Sequence, residues 1–183
     1  MNSIEKAYNV TIEVNRSKFI THLVPMSEYE GLQNKLRAEH PKANHVVYAL
    51  RYLNEFDQVV ENSSDDGEPK GCAGTPALNV LRGEKMMNCA VLIVRYFGGI
   101  KLGTGGMARA YALAVKNVLK EAALIAYEKK IEYHFETSYS DVDKTLYRLK
   151  QLALVQYERD FGVEKVVWKV IGSEDKIEIF KSM

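Results

Sequence analysis

Residues 88–111 read N-C-A-V-L-I-V-R-Y-F-G-G-I-K-L-G-T-G-G-M-A-R-A-Y. The run from Asn88 to Phe97 is almost continuously apolar, which predicts a central strand buried on both faces. Ala108, Tyr111, Ala112, Val115, Leu119 and Ala122 then recur at helical spacing and form an apolar stripe. Between strand and helix stand Gly98, Gly99, Gly103, Gly105 and Gly106. A strand, then a glycine loop, then a helix start leaves backbone N–H groups pointing at one spot. Glycine costs conformational entropy on folding, so a stable domain keeps it where the chain turns with positive φ or is approached closely. Eight of the 12 glycines lie in this loop and in one other, S-D-D-G-E-P-K-G-C-A-G-T-P at residues 64–76.

Outward from this stretch the pattern is regular. Tyr8, Val10, Ile12 and Val14 alternate with polar residues and predict a strand over 8–14, with 18–24 as its hairpin partner ending at Pro25. Ser27 and Glu30 have capping-box spacing, and Tyr29, Leu32 and Leu36 mark a helix that His40-Pro41 ends. His45 to Leu53 predicts a strand and Val59-Val60 a shorter one. Pro76 is placed to start a short helix carrying Leu78 and Leu81. The pattern restarts near residue 130, where Ile131, Tyr133 and Phe135 alternate with Glu132, His134 and Glu136. A helix begun by Ser140-Asp141 follows, carrying Val142, Leu146, Leu149 and Ala153. Strands over 154–160 and 164–171 flank Gly162, and Gly172-Ser173-Glu174-Asp175 has the form of a helix start with acids in its first turn.

These elements predict an α+β protein of two domains, 1–128 and 129–183. The second reads β-α-β-β-α and lacks the last strand of a split βαβ sandwich. A truncated C-terminus is therefore the expectation, with Lys176 to Phe180 as an alternative closing strand.

The 183 residues are 46% hydrophobic and 27% charged, an ordinary balance for a globular protein with a real core. No apolar run reaches membrane-span length, and M-N-S-I-E-K lacks the core of a signal peptide. Two cysteines, Cys72 and Cys89, form no framework. The expectation is a cytoplasmic protein with no membrane partner. The net charge of +1 decides nothing, but its distribution does. Glu55 to Glu68 holds six acids and no Lys or Arg, whereas Lys85 to Lys120 holds six basic residues and no acid. Each tract coincides with one glycine loop.

The second loop is not a Walker A loop, because no G-K-[ST] occurs. It nevertheless offers glycine amides at Gly98, Gly99, Gly103, Gly105 and Gly106, with Thr104 at an N-cap position and Arg95, Lys101 and Arg109 for charge. These groups suit a phosphate or carboxylate. Tyr96 and Phe97 either stack on a base or sugar or pack in the core. Asp65, Asp66 and Glu68 are expected to face this site, near Lys101 and Arg109. Their spacing misses the EF-hand pattern, so turn building or partner contact is preferred to Mg²⁺, and neither metal nor cofactor is expected. His45 is a candidate to line the site. Cys72 has no activating histidine at a recognisable spacing, Cys89 reads as core, and no catalytic residue is assigned.

The pair S-D-D-G-E-P-x-G-x-A-G-x-P and R-Y-F-G-G-I-K-L-G-x-G-G, about twenty residues apart, resembles the signature of the IMPACT/YigZ family, and the resemblance extends over the whole chain. It implies an N-terminal two-layer α/β domain of the kind in a ribosomal small-subunit protein and in domain four of elongation factor G. It also implies a second domain like that factor's ferredoxin-like domain five. Eukaryotic members restrain a starvation-responsive initiation-factor kinase, using a further N-terminal module; this chain begins at the α/β domain, so kinase regulation is not expected of it. Bacterial two-domain members are commonly uncharacterised and sometimes labelled peptidases, for which no metal-binding or nucleophilic set is visible here. At Cys72 the family pattern usually has another small residue.

Two functions follow as expectations. The first is a non-enzymatic module that binds RNA or the translation machinery, with translational regulation as the setting, through the basic glycine loop. The alternative is a binder of phosphate-containing small molecules or nucleotides, or an enzyme acting on them. Sugar and mevalonate kinases share the broad two-layer fold and have a glycine-rich loop that opens a helix. The oligomeric state is not legible.

Overall fold

The computed structural model describes residues 1–183, which divide into two compact units, Met1–Tyr127 and Glu128–Met183. The first unit contains β1 (Asn2–Ser3), β2 (Tyr8–Val14), β3 (Ser17–Pro25), α1 (Tyr29–Glu39), β4 (His45–Leu53), β5 (Val59–Ser64), α2 (Gly74–Gly83), β6 (Cys89–Tyr96), α3 (Gly103–Glu121) and β7 (Ile125–Ala126). Five strands form one antiparallel sheet in the order β2-β3-β6-β4-β5, and β1 pairs with β7.

The apolar run becomes the central strand. Cys89 through Arg95 are all buried, because both faces of β6 are covered. Cys89, Val91 and Ile93 pack with α2 and α3 in the larger core, while Ala90, Leu92 and Val94 pack with Leu36 of α1 in the smaller one. Sheet and α2/α3 make the two-layer body, and α1 lies on the opposite face. Every second residue thus enters a different core, which explains why alternation disappears from the sequence of this strand.

Two helix starts differ from expectation. Ser27 makes no capping bond, because Met26–Glu28 already forms a short 3-10 turn with Ser27 inside it, and α1 begins at Tyr29. Helix α2 begins at Gly74 rather than Pro76; Pro76 occupies the first turn, where a missing N–H is tolerated.

The second unit contains β8 (Lys130–Thr137), α4 (Val142–Gln151), β9 (Gln156–Phe161), β10 (Val166–Ser173) and α5 (Glu174–Ser182). Its antiparallel sheet has the order β8-β10-β9, around a core of Leu149, Trp168, Val170, Ile177 and Phe180. Lys176 to Phe180 is helical and not a closing strand. Glu174 and Asp175 favour a helix N-terminus, and Ile177 and Phe180, three apart, reach the core together only on a helix. No helix of the chain is long and apolar enough to cross a membrane.

Candidate functional site

Strand β6 carries the chain from the buried Arg95 through half-buried Tyr96 to Phe97, which is 48% exposed. Gly98 then passes against the β2–β3 turn. A Cβ there would lie 2.0 Å from the Arg16 carbonyl carbon and 2.4 Å from the Ser17 nitrogen, so only glycine fits. The Phe97 amide donates to Asn44 Oδ1 at 2.9 Å and the Gly98 amide to Ser17 Oγ at 3.2 Å. Gly99 and Gly103 have φ of +84° and +69°, the left-handed region that glycine enters without strain.

Helix α3 starts at Gly103, so Thr104 lies in its first turn rather than capping it. The N-cap residue is Leu102, no side chain caps the helix, and its first turn holds no acid. Lys101, Gly103, Thr104, Gly105 and Arg109 are exposed and Gly106 is half-buried. Gly105 is not required by packing: an added Cβ would meet only Arg109 Nη1, at 3.5 Å. The result is an open turn of backbone donors flanked by two cations. Arg109 also borders two grooves. One, of about 620 Å³, lies between α2 and α3 and includes Pro76, Asn79, Ala112 and Lys116; the other, of about 240 Å³, includes Val14, Asn15 and Leu102.

Helix α2 starts in a contrasting way. Asp65 Oδ1 accepts from the Ala73 and Gly74 amides at 3.0 and 2.8 Å, and Oδ2 accepts from Gly71 at 2.7 Å. Burial opposes the charge on Asp65, but the amides of Gly71, Gly74 and Ala73 outweigh it and hold the pKa below the usual carboxylate value. This carboxylate is fully committed to its own loop.

The expected pairing of the acids with Lys101 and Arg109 is not what forms. Asp66 accepts from Arg37 Nη2 at 2.7 Å and from the Val46 amide at 2.6 Å. Burial again works against ionisation, and Arg37 and the Val46 amide overcome it to lower the pKa. Glu68 is 8% exposed and accepts from Arg95 Nη1 and, at 2.8 Å, from the Tyr111 hydroxyl. Burial, followed by the charge of Glu68, pushes the Tyr111 pKa upward, so the phenol stays protonated as a donor. The physical reason for the changed pairing is solvation. Arg95 is only 5% exposed and must find a carboxylate nearby, whereas Lys101 and Arg109 remain in water and lack an acidic partner.

Arg95 is therefore a buried anchor beneath the loop and not an exposed anion ligand. Its guanidinium lies over the rings of Phe19 and Phe97, 5.6 and 5.9 Å from their centroids, and its Nε has no partner. Tyr96 points back to α1, its hydroxyl 2.8 Å from His40 Nδ1, which leaves Phe97 as the exposed ring. His45 donates from Nδ1 to the Asp66 carbonyl at 2.7 Å, and its Nε2 is 3.6 Å from Glu68 Oε2. It ties the acidic loop to β4. Sequence reading missed Arg37, Asn44, Ser17 and the role of the Tyr111 hydroxyl, all of which act across long sequence separations.

Residues 15–119, which include both glycine loops, Arg95 and the start of α3, match the family model described as the Impact N-terminal domain. The chain belongs to the IMPACT family. An IMPACT family member of Haemophilus influenzae is 37% identical over 181 residues, covering 93% of this chain and 84% of the relative. The IMPACT family member YvyE of Bacillus subtilis is 31% identical over 181 residues, covering 97% and 82%. A solved structure described as a hypothetical protein superposes with a TM-score of 0.70 at 28% identity, covering 99% of this chain and 89% of that one. The open turn and its cations thus lie within the part of the IMPACT chain that the family model spans.

Proposed function

We propose that this IMPACT-family chain is a non-enzymatic cytoplasmic protein that binds RNA within the translation machinery, with phosphates seated on the first turn of α3. The observation that carries this reading is Gly105, together with the uncapped turn around it. Alanine would fit there and would favour the helix by about 0.4–1 kcal/mol. Glycine at a position where packing does not need it leaves the amides of Gly103, Thr104 and Gly105 open to a ligand. The positive end of the helix dipole favours an anion there. Lys101 and Arg109 add unpaired charge, Gly98, Gly99 and Gly106 shape the loop, and Phe97 offers a face on which a base can stack. Glu68 and Arg95 support the loop from beneath.

A second reading is a small phosphate-containing molecule in place of RNA. The groove of about 620 Å³ beside Arg109 and Lys116 favours it, being of a size for such a ligand. Titration of fluorescent single-stranded RNA at several salt concentrations separates the two. Phosphate contacts by Lys101 and Arg109 make affinity fall as salt rises, and Lys101→Ala reduces the slope by roughly one counterion. Absence of RNA binding at low salt, or equal slopes for both proteins, overturns the RNA reading. Nucleotide binding without RNA binding favours the second.

A further inference from the structure

We propose that the exposed stripe of α3, from Gly105 to Lys120, is a track along which an extended single strand of RNA lies. The proposal rests on the RNA reading above and carries it from one phosphate on the first turn to the length of the helix. Gly105, Arg109, Leu113, Lys116 and Lys120 are all exposed and follow one another at steps of four, four, three and four residues. Such steps stack side chains on one helix face. The opposite face, with Met107, Tyr111, Ala114 and Val118, is buried in the larger core. Three of the five stripe residues are cations, and α3 holds no acid before Glu121. Cations on the neighbouring helices are neutralised: Lys35 and Arg37 of α1 reach Glu39 and Asp66, and Arg82 of α2 reaches Glu61. Arg109, Lys116 and Lys120 reach no carboxylate. Glu84, the acid lining the groove beside Arg109 and Lys116, forms an ion pair with neither. Lys116 and Lys120 stand one turn apart, a like-charge spacing that weakens a helix until an anion relieves it.

Spacing selects the partner. Each step along the stripe is close to one helical turn, about 5.4 Å. Stacked nucleotides advance only about 3.4 Å along a strand, so a strand that places one nucleotide on each step is extended and its bases are unstacked. A duplex winds its phosphates away from a straight helix face, whereas an extended strand follows it. From Gly105 to Lys120 the stripe measures about 22 Å, room for about five nucleotides. One phosphate sits on the first turn at Gly105, and others sit on Arg109, Lys116 and Lys120. Leu113, 46% exposed, interrupts the cations with apolar surface on which an unstacked base or its sugar rests. A membrane surface fits poorly, because Leu113 is the one large apolar side chain on the stripe and an interfacial helix needs a whole apolar face. The acid-free tract from Lys85 to Lys120 gains a physical reason. Arg95 is buried beneath the loop, Lys101 and Arg109 flank its open turn, and Lys116 and Lys120 continue the positive line along the helix.

The test titrates the full chain with fluorescent single-stranded RNA of about three, six and twelve nucleotides, with a hairpin duplex and with polyglutamate, at several salt concentrations. Affinity is expected to rise about tenfold from the shortest RNA to the middle one, and beyond that only with the number of registers. Lys116→Gln and Lys120→Gln should each weaken the middle RNA about threefold and flatten its salt slope by about 0.7, the value for one single-strand phosphate. Leu113→Asn should weaken it about threefold with the slope intact, since that contact carries no charge. Melting curves confirm that the variants fold. Parent slopes in both lysine variants, with Lys101→Ala still flattening its own, overturn the track and leave the first-turn site standing. Absence of binding to any RNA overturns both. Duplex or polyglutamate bound as tightly as the single strand assigns the stripe to another partner and overturns the proposal.

Discussion

Glu68 and Arg95 lie 27 residues apart, and their buried hydrogen bond ties the acidic glycine loop to the end of the central strand. The Tyr111 hydroxyl completes the cluster from α3, so three elements meet on one carboxylate. A buried pair of this kind tends to specify an arrangement more than it stabilises, but breaking it leaves a buried charge uncompensated.

Glu68→Gln keeps the side-chain volume and removes the charge. It is expected to cost about 3–5 kcal/mol in urea melts, since Arg95 is then left without a counter-ion. In the background of Arg95→Met the same change should cost much less. Equal losses in both backgrounds would show that the two residues do not act as a pair.

Gly98→Ala places a methyl carbon 2.0 Å from the Arg16 carbonyl carbon, which is backbone and cannot move aside. The loss expected is roughly 3 kcal/mol or more, visible as a lower midpoint in thermal or urea unfolding. A loss below about 1 kcal/mol would mean that the β2–β3 turn relaxes freely, contrary to the close approach described.

Stability should fall in two stages as pH drops. His22 has its pKa lowered, first by burial and then by the charge of His40, and its Nε2 has no hydrogen-bond partner. Because the folded value lies below the unfolded value of about 6.5, the unfolded chain takes up the proton first. Stability from this group is present above that pH and declines below it. Asp65, Asp66 and Glu61 are also lowered: the first two by hydrogen bonds that outweigh burial, Glu61 chiefly by Arg82. Their contribution is present above about pH 4 and is lost as pH falls through their folded values. Urea melts of the parent and His22→Gln between pH 8 and pH 3 check this. A parent curve flat between pH 8 and 5, or one unchanged by the substitution, contradicts the first stage.

What was legible in the sequence was what local pattern controls. The run to Phe97, the stripe from Ala108, the restart near residue 130 and the acids at Glu174-Asp175 each declare themselves within a few residues. The helix starts were less legible, because capping depends on distant groups. Asp65 holds the start of α2 from eight or nine residues away, and Thr104 is a good capping residue in a helix that begins one residue before it. Pairing of charges was least legible. Lys101, Arg109 and Arg95 look alike as letters, and only burial decides that Arg95 takes Glu68 while the other two stay in water. The exposure of Phe97 and the inward turn of Tyr96 likewise depend on Asn44 and His40, which no local signal connects to them.

The most direct test of the open turn is Gly105→Ala, read by RNA affinity and unfolding midpoint on the same protein. Each Cα–Cβ bond of a helix tilts toward its N-terminus, so a methyl group at this position leans over the free amides. The expected result is a chain more stable by about 0.4–1 kcal/mol that binds RNA about fivefold more weakly. Greater stability with unchanged RNA affinity would contradict the phosphate site on α3.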